Sequence, residues 1–299
     1  MSNNLSKIKN KISKKELILG TLVSFSDPIV SEVLCSCGFD FIWIDSEHQP
    51  LDKKDIDLHI MTVKGAGAAP FVRVPWNDPV LVKPILEMGP AGIIFPFIKT
   101  VDEAKLAVAS CKYPPEGIRG YGPRRANRFS SISKDKYIEI AKVEPWIIVI
   151  IEHIDAVNNL KEILKVDGIN SIVVGPEDLS GSIGLLGQTR HPELIKLLDK
   201  IAETCRDFKM PFAAGLSTTV MKDIEDWVQR GASWLLLDND FSSLLFAGKK
   251  AYTDVKTISE TGSKKTPGTG DKSKGDILTN NHIEVIVEEI MNKLRKKLK

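Results

Sequence analysis

The sequence predicts an α/β fold, a closed (β/α)8 TIM barrel, followed by a flexible linker and a separate amphipathic helix. The chain has 299 residues, of which 42% are hydrophobic, enough to bury the core of one large domain with an appendage. Eight short and almost continuous apolar runs alternate with helix-like segments, as in parallel strands that are buried on both faces. Eight such units within about 250 residues are typical of this barrel.

The predicted strands are residues 19–23, 39–44, 71–74, 92–95, 146–151, 171–174, 212–216 and 234–237. Ahead of them, residues 5–17 are predicted to form a short basic helix that covers one end of the barrel. An open doubly wound sheet is the alternative. It would need a glycine-rich turn after the first strand, and residues 24–28 lack the GxGxxG pattern.

Helix signals fall between these strands. Asp27 can cap a helix over residues 28–37 that begins with proline. Thr100 and Glu103 form a capping box for a helix over residues 100–110. Helical spacing also predicts helices over residues 191–209 and 219–230. These segments supply the outer layer that a parallel barrel requires.

The connection from residue 112 to residue 144 is long and rich in proline and glycine. It carries four arginines: Arg119, Arg124, Arg125 and Arg128. Long loops inside compact domains tend to be functional. We therefore expect this loop to leave the fourth strand and fold over the catalytic face as a basic lid.

The composition predicts three parts: a barrel over residues 1–254, a linker over residues 255–280 and an amphipathic helix over residues 281–299. The linker is rich in Gly, Ser, Thr and Lys. The helix begins with a capping-box pattern at Asn281 and Glu284, and its acidic first half and basic second half match the helix dipole.

Charge, cysteine content and the absence of long apolar runs argue against nucleic-acid-binding, disulfide-bonded and membrane proteins. The net charge of +2 gives no electrostatic attraction towards nucleic acid. The four cysteines form no CxxC pair, which suits reduced thiols in the cytosol. There is no N-terminal apolar segment and no run near the roughly 18 apolar residues of a membrane span. We expect a soluble cytoplasmic protein that binds neither nucleic acid nor membrane.

Residues that follow the strands of a parallel barrel lie on one catalytic face. Glu152 and Asp178 follow adjacent strands and supply the hard oxygen ligands that Mg²⁺ or Mn²⁺ prefers. Either acid could instead cap the next helix or pair with Arg73. Further candidates at strand ends are Ser24, Asp45, Glu47, Ser217 and Asp238. Of these, Ser217 is a predicted substrate-binding residue.

Arg73 can grip the carbonyl oxygen of a 2-oxo acid and stabilise an enolate. An ion pair with Asp45 or Glu47 is its structural alternative. His48 follows a strand and can transfer a proton to or from an alkoxide. His153 could act beside a ligand or pack beneath it, whereas His59 and His191 are predicted to lie on the surface.

Four motifs together resemble the HpcH/HpaI class II aldolases. They are Asp45-Ser46-Glu47-His48-Gln49-Pro50, Val72-Arg73-Val74-Pro75, Tyr113-Pro114-Pro115-Glu116-Gly117-Ile118-Arg119-Gly120 and Gly175-Pro176-Glu177-Asp178-Leu179-Ser180. The resemblance spans roughly residues 5–254. It implies a (β/α)8 barrel, typically a homohexamer in which the last barrel helix is exchanged. It also implies reversible cleavage of a 4-hydroxy-2-oxo acid to pyruvate and an aldehyde, dependent on Mg²⁺, Mn²⁺ or Co²⁺.

The resemblance also implies roles for individual residues. His48 matches the family's acid/base and Arg73 its enolate-stabilising arginine, while Glu152 and Asp178 match its metal carboxylates. The backbone N–H groups of Glu177 and Asp178 match its cradle for the pyruvate carboxylate.

Two positions depart from the family pattern. Glu87 stands where an aspartate often partners the catalytic histidine. Ile150 replaces a glutamine that would support the metal. We expect the metal chemistry to survive both departures. We expect them to affect the choice of substrate and the reaction rate.

The tethered C-terminal helix resembles the encapsulation peptides of enzymes in bacterial microcompartments, which implies a shell protein as partner. It could instead oligomerise as a coiled coil or dock on the barrel.

Two other functions stay open. One is a CoA-thioester lyase of the citrate-lyase β-chain type, and the other is a non-catalytic scaffold that carries the tail into a shell. A phosphosugar barrel is disfavoured because Asp238 and Asp240 would repel phosphate after the last strand.

Overall fold

In the computed structural model, which describes residues 3–216 and 220–262, eight parallel strands close into a barrel in chain order. The strands are β1 Ile18–Val23, β2 Phe41–Asp45, β3 Ala69–Arg73, β4 Gly92–Phe95, β5 Trp146–Ile151, β6 Ser171–Val174, β7 Phe212–Leu216 and β8 Trp234–Asn239. The helices are α1 Asn3–Ser13, α2 Pro28–Ser36, α3 Lys53–Gly65, α4 Pro79–Met88, α5 Val101–Cys111, α6 Lys134–Ala141, α7 Ile154–Ile163, α8 Pro176–Ser182, α9 Pro192–Asp207, α10 Met221–Arg230 and α11 Asp240–Gly262. The predicted fold and all eight predicted strands are confirmed.

Helix α1 closes one end of the barrel, as the sequence predicts. Leu5 and Ile8 are 0% and 2% exposed and join the core inside the strands. That core is aromatic at its centre, where the rings of Phe41 and Phe71 stack with centroids 5.1 Å apart. Trp234 meets Phe41 edge to face at 5.1 Å. The barrel interior is therefore packed with side chains, and chemistry is confined to the strand ends.

The connection between α5 and α6 lies at the end of the barrel opposite the carboxyl ends of the strands. Each outer helix runs back across the barrel, so α4 and α5 end beside the amino ends of the strands. Arg119 Nη2 donates a hydrogen bond to the carbonyl oxygen of Leu86 at the end of α4, at 3.3 Å. The predicted basic lid over the catalytic face is wrong because α5 separates this loop from β4.

The chain divides into two units between Asp240 and Phe241. In the second unit, α11 continues to Gly262. Residues 255–262, which we expected to belong to the linker, are therefore helical. The predicted helix over residues 281–299 lies outside the described residues. None of the described helices combines the length and the apolar composition that a transmembrane segment requires.

Candidate active site

Asp45, the last residue of β2, holds the side chain of Arg73 at the end of the neighbouring strand β3. Arg73 Nε and Nη2 donate to Asp45 Oδ1 and Oδ2 at 2.8 and 2.7 Å. The two residues are directly paired in the strand register, and Asp45 is 1% exposed. The ion pair that the sequence offered as a structural alternative is thus present, and it fixes the guanidinium at the rim of the barrel.

Arg73 keeps its positive charge although it is largely buried. Burial would lower the pKa of Arg73, but the hydrogen bonds and charge of Asp45 raise it, and the charges of Glu47 and Glu152 act in the same direction. The guanidinium carbon also lies 5.4 Å from the ring centroid of Trp43, within the range of a cation–π contact. A fixed cation is therefore ready to meet negative charge on a substrate.

Glu47 lies between Arg73 and His48. Its Oε2 is 2.9 Å from Arg73 Nη1 and 3.8 Å from His48 Nε2. The side chain of Glu47 is 9% exposed, whereas that of His48 is 58% exposed. Burial raises the pKa of Glu47 to about 7; Arg73 opposes this shift, and the charges of Asp45 and Asp178 add to it. His48 thus stands in solvent beside a buried carboxyl group.

Glu152 follows β5 and is 4% exposed. Its Oε1 accepts a hydrogen bond of 2.7 Å from the backbone N–H of Phe97, after β4. Phe97 has a φ of 52°, in the left-handed region that side chains rarely adopt. This geometry turns the N–H of Phe97 towards Glu152 and commits one carboxylate oxygen to the protein.

Burial raises the pKa of Glu152 to about 7. The Phe97 N–H opposes this shift, the charges of Asp178 and Glu47 add to it, and Arg73 opposes it. These mutual effects link acids from the ends of β2, β5 and β6 to one guanidinium from β3. The structure therefore brings Arg73, Glu152 and Asp178 to one rim, together with the strand-end loop that carries His48.

Gly175 lets the Glu152 carboxylate lie against the end of β6. A Cβ atom at position 175 would lie 2.8 Å from both Glu152 Cβ and Glu152 Oε2, closer than real Cβ contacts. Only glycine avoids this overlap. Asp178 is exposed in the first turn of α8, immediately after this point. The second oxygen of Glu152 is therefore directed to the segment that carries Asp178.

The two carboxylates fit a divalent cation. Among residues 3–216 and 220–262, no group of three or more His, Cys, Asp or Glu side chains is arranged to hold a metal ion. Glu152 and Asp178 nevertheless offer hard oxygen donors from adjacent strand ends. Their mutual repulsion contributes to the raised pKa of Glu152, and a cation would relieve it. Such a site would take its remaining ligands from water and substrate.

Other residues that the sequence analysis discussed lie outside the cluster around Arg73, Glu152 and Asp178. His153 caps α7, with Nδ1 accepting from the Asp155 N–H at 3.1 Å. The surface position predicted for His59 is wrong: this residue is 0% exposed and its Nδ1 lies 2.8 Å from Ser31 Oγ. Ser217 lies outside the described residues.

Glu87 is the predicted residue that the chain does not bring to the rim. It lies in the last turn of α4, and its Oε1 is 3.3 Å from Arg119 Nη2 at the opposite end of the barrel. Within one chain it cannot contact His48. Ile150 is 2% exposed and belongs to the core inside the barrel, so the position that departs from the family pattern is an apolar core position two residues before Glu152.

A family model described as HpcH/HpaI aldolase/citrate lyase matches residues 19–245. The chain belongs to the HpcH/HpaI aldolase/citrate lyase family. It is accordingly a carbon–carbon lyase of the aldolase type.

Relatives within the HpcH/HpaI family extend over the whole barrel. The chain is 36% identical to a 5-keto-4-deoxy-D-glucarate aldolase from Enterobacter sp. (strain 638) over 86% of this chain and 100% of the relative. It is 35% identical to the enzyme of that name from Escherichia coli (strain K12), with the same coverage.

Solved HpcH/HpaI structures have the same fold. An aldolase from Desulfitobacterium hafniense DCB-2 superposes with a TM-score of 0.77 at 28% identity, covering 88% of this chain and 98% of that one. An aldolase/citrate lyase family protein from Burkholderia cenocepacia J2315 gives a TM-score of 0.79 at 28% identity, covering 84% and 99%.

Two contributors to the site, Gly175 and Phe97, were missed by reasoning from the sequence. Glu47 stood inside a quoted motif and was offered as an ion-pair partner of Arg73, which the structure shows, but its approach to His48 was not foreseen. Gly175 also stood in a motif, but its contact with Glu152 depends on two strands being adjacent. Phe97 offered no signal, since its role depends on a backbone N–H in an uncommon conformation.

Proposed function

We propose that this protein is a divalent-metal-dependent aldolase that reversibly cleaves a 4-hydroxy-2-oxo acid to pyruvate and an aldehyde. The observation that carries the proposal is the arrangement of Arg73 with Glu152 and Asp178 on one rim, where a fixed guanidinium lies beside two carboxylates and where burial, together with the charge of Asp178, raises the pKa of Glu152. An enolate intermediate requires both kinds of group: the carboxylate pair would hold a metal ion, and the guanidinium would stabilise the developing negative charge.

Each residue has a distinct task in this mechanism. Glu152 and Asp178 would hold the divalent ion, which supplies Lewis-acid stabilisation when bound. Arg73, held by Asp45, directs its remaining N–H groups at the keto oxygen and stabilises the enolate. The backbone N–H groups of Glu177 and Asp178 would receive the substrate carboxylate at the start of α8.

His48 moves the proton. It lies on the exposed side of Glu47, where an imidazole can accept the proton of the substrate hydroxyl as the C3–C4 bond breaks. In the direction of synthesis it returns that proton to the new alkoxide. We propose Ser217 as a further substrate contact and Glu87 as a partner for a histidine in another copy, since Glu87 stands at the far end of its own barrel.

For the substrate, the relatives favour a sugar-derived acid. The first relatives are named for 5-keto-4-deoxy-D-glucarate and are covered over their full length. We propose a polyhydroxylated 2-oxo acid of this type as the first compound to assay. Simple pyruvate with short aldehydes is the second, since it tests the shared half of the reaction.

The metal requirement is tested by chelation. Wild-type protein is dialysed against a chelator and assayed for aldol cleavage before and after addition of Mg²⁺, Mn²⁺ or Co²⁺. We expect activity to vanish and to return with the metal. Full activity after prolonged chelation would contradict the proposal.

Substitution of Arg73 tests the enolate site. Arg73→Ala is expected to lower kcat by about 10²- to 10³-fold, the effect of losing a preorganised oxyanion donor. Arg206→Ala, an exposed arginine on α9, is the matched control and should retain parental activity. An Arg73→Ala variant with normal kcat would contradict the role of Arg73, whereas a wild type without turnover would favour a non-catalytic scaffold.

A CoA-thioester lyase of the citrate-lyase β-chain type is the second candidate, since the family model that matches the chain is described as aldolase/citrate lyase. Cleavage assays with free 2-oxo acids and with CoA thioesters distinguish the two. Turnover of a thioester alone would replace the aldolase proposal.

A homohexamer with an exchanged last helix is proposed for the assembly. Helix α11 exposes apolar side chains at helical spacing, including Leu244, Tyr252 and Val255 at 65%, 69% and 67% exposure. A soluble chain rarely leaves such a stripe uncovered. Light scattering should show a hexamer, and Leu244→Asp should reduce its mass. A monomeric wild type would refute this assembly.

We propose that residues 281–299 direct a cytoplasmic enzyme into a bacterial microcompartment by binding a shell protein. The support is the sequence pattern alone, an amphipathic segment after a Gly- and Ser-rich stretch. Deleting residues 276–299 should leave an active, soluble barrel that no longer co-purifies with shells. Unchanged co-purification would refute the proposed targeting role of residues 281–299.

A further inference from the structure

Glu47 is a buried carboxyl group that the mechanism above does not use. Its side chain is 9% exposed, and Oε2 makes no hydrogen bond within the described residues, although Arg73 Nη1 lies 2.9 Å away. Buried polar atoms without a hydrogen bond are uncommon in folded proteins and call for an explanation. Arg73 does not need Glu47 as an anchor, because Asp45 already accepts two of its hydrogen bonds.

The other neighbour of Glu47 is His48. Its Nε2 lies 3.8 Å from Glu47 Oε2, at the limit of an ion pair. His48 itself is mostly exposed, and no other ion pair of its ring is found in the described part of the chain. Glu47 is therefore the carboxylate placed to orient the His48 ring through its Nε2 atom.

We propose that Glu47 is a positioning residue that acts through His48: its carboxylate orients the ring and stabilises the imidazolium that forms when His48 takes the hydroxyl proton. This inference rests on the proposed aldolase function. In the step concerned, the O–H and C3–C4 bonds of the substrate break. The proton goes to a ring nitrogen, the C4 oxygen becomes the aldehyde carbonyl, and the electron pair of the C3–C4 bond becomes the enolate, which is later protonated at C3.

The variants Glu47→Gln and Glu47→Asp separate charge from shape. Gln keeps the volume and loses the charge, whereas Asp keeps the charge at a shorter reach. We expect Glu47→Gln to lower kcat by about 10- to 100-fold with KM within about threefold of the parent. Glu47→Asp should recover part of the loss. Glu162→Gln, an exposed acid on α7 paired with Lys165, is the matched control and should behave as the parent.

A double-mutant cycle with His48→Ala decides whether Glu47 acts through His48. If it does, Glu47→Gln costs less than about threefold in the His48→Ala background. An equal loss in both backgrounds would overturn the proposal.

Calorimetry gives a readout that does not need the slow double variant. Oxalate, a stable mimic of the enolate, is titrated into the Mn²⁺-loaded enzyme, and Mn²⁺ is titrated into the metal-free enzyme. Glu47→Gln should change neither affinity by more than about threefold. A fall in oxalate affinity equal to the fall in kcat would assign Glu47 to Arg73 instead. A large loss of Mn²⁺ affinity would make it a metal ligand; either result refutes the inference.

Failure of the aldolase proposal has a different signature. If the aldolase proposal is wrong, the wild type itself shows no metal-dependent cleavage with any 2-oxo acid. Failure of the present inference leaves the wild type active and Glu47→Gln equally active.

Discussion

Asp45 and Arg73 face each other across two adjacent strands and share two hydrogen bonds of 2.8 and 2.7 Å. Ser46 also fixes the backbone of Arg73, since its backbone N–H and its hydroxyl both donate to the carbonyl oxygen of Arg73. The guanidinium is therefore oriented before any substrate arrives. Preorganised charge of this kind is the largest single contribution to catalysis in many enzymes.

The Asp45–Arg73 pair should also matter for stability. Asp45→Asn leaves Arg73 partly unpaired in a buried position, so we expect the free energy of unfolding to fall by about 3 kcal/mol. The matched control is Asp57→Asn, which breaks a similar two-bond pair with Arg125 at roughly one-third exposure. That change should cost less than about 1 kcal/mol. Chemical denaturation measures both, and equal losses would show that burial of Asp45 is not decisive.

Gly175 should control the position of Glu152. In Gly175→Ala the new methyl group would lie 2.8 Å from Glu152 Oε2, so the carboxylate must move. We expect Mn²⁺ affinity to fall by about 10- to 100-fold, the usual cost of disturbing a metal ligand's support. Gly65→Ala, where a methyl group meets no atom within 4 Å, is the control. Calorimetric titration compares the two, and an unchanged affinity in Gly175→Ala would contradict the close contact.

Metal affinity should depend on pH because burial and neighbouring charges raise the pKa of both Glu47 and Glu152 to about 7. Between their ordinary pKa near 4.5 and this value, the folded metal-free protein holds protons that the unfolded chain has released. Its stability therefore decreases as pH rises through that window.

Metal binding requires the ionised carboxylate and releases the proton. Below pH 7 the affinity should rise by about tenfold per pH unit for each proton released. Titrations from about pH 5.5 to about pH 7.5 in buffers of different ionisation enthalpy count these protons. An affinity that does not change with pH would contradict the raised pKa of Glu152.

Helix α1 should contribute to stability through the end of the barrel that it closes. Leu5 is fully buried in the interior core, so Leu5→Ala should cost about 2–5 kcal/mol. Asn10→Ala, an exposed position on the same helix, should change stability by less than about 0.5 kcal/mol. Thermal and chemical unfolding test this. A small loss for Leu5→Ala would mean that the helix can detach without disturbing the core.

The rim chemistry could be predicted because barrel topology converts sequence order into position. Strand-end residues such as His48, Arg73 and Glu152 reach one face whenever eight parallel strands close, so no knowledge of side-chain contacts was needed. The lid prediction failed for the same reason: the loop after residue 112 follows a helix, and each helix returns the chain to the opposite end. His59 was wrongly placed because a single polar residue on a helix carries no signal of which face is buried.

The sequence alone determined the closed barrel, the order of its strands and the residue types at the catalytic rim. Those features follow from the period of apolar residues and from chain order, which are local properties. Tertiary structure decided the pairing of Arg73 with Asp45 and Glu47, the approach of Glu152 to Gly175, and the separation of Glu87 from His48. These depend on distances between residues far apart in the chain, which only the closed and packed barrel defines.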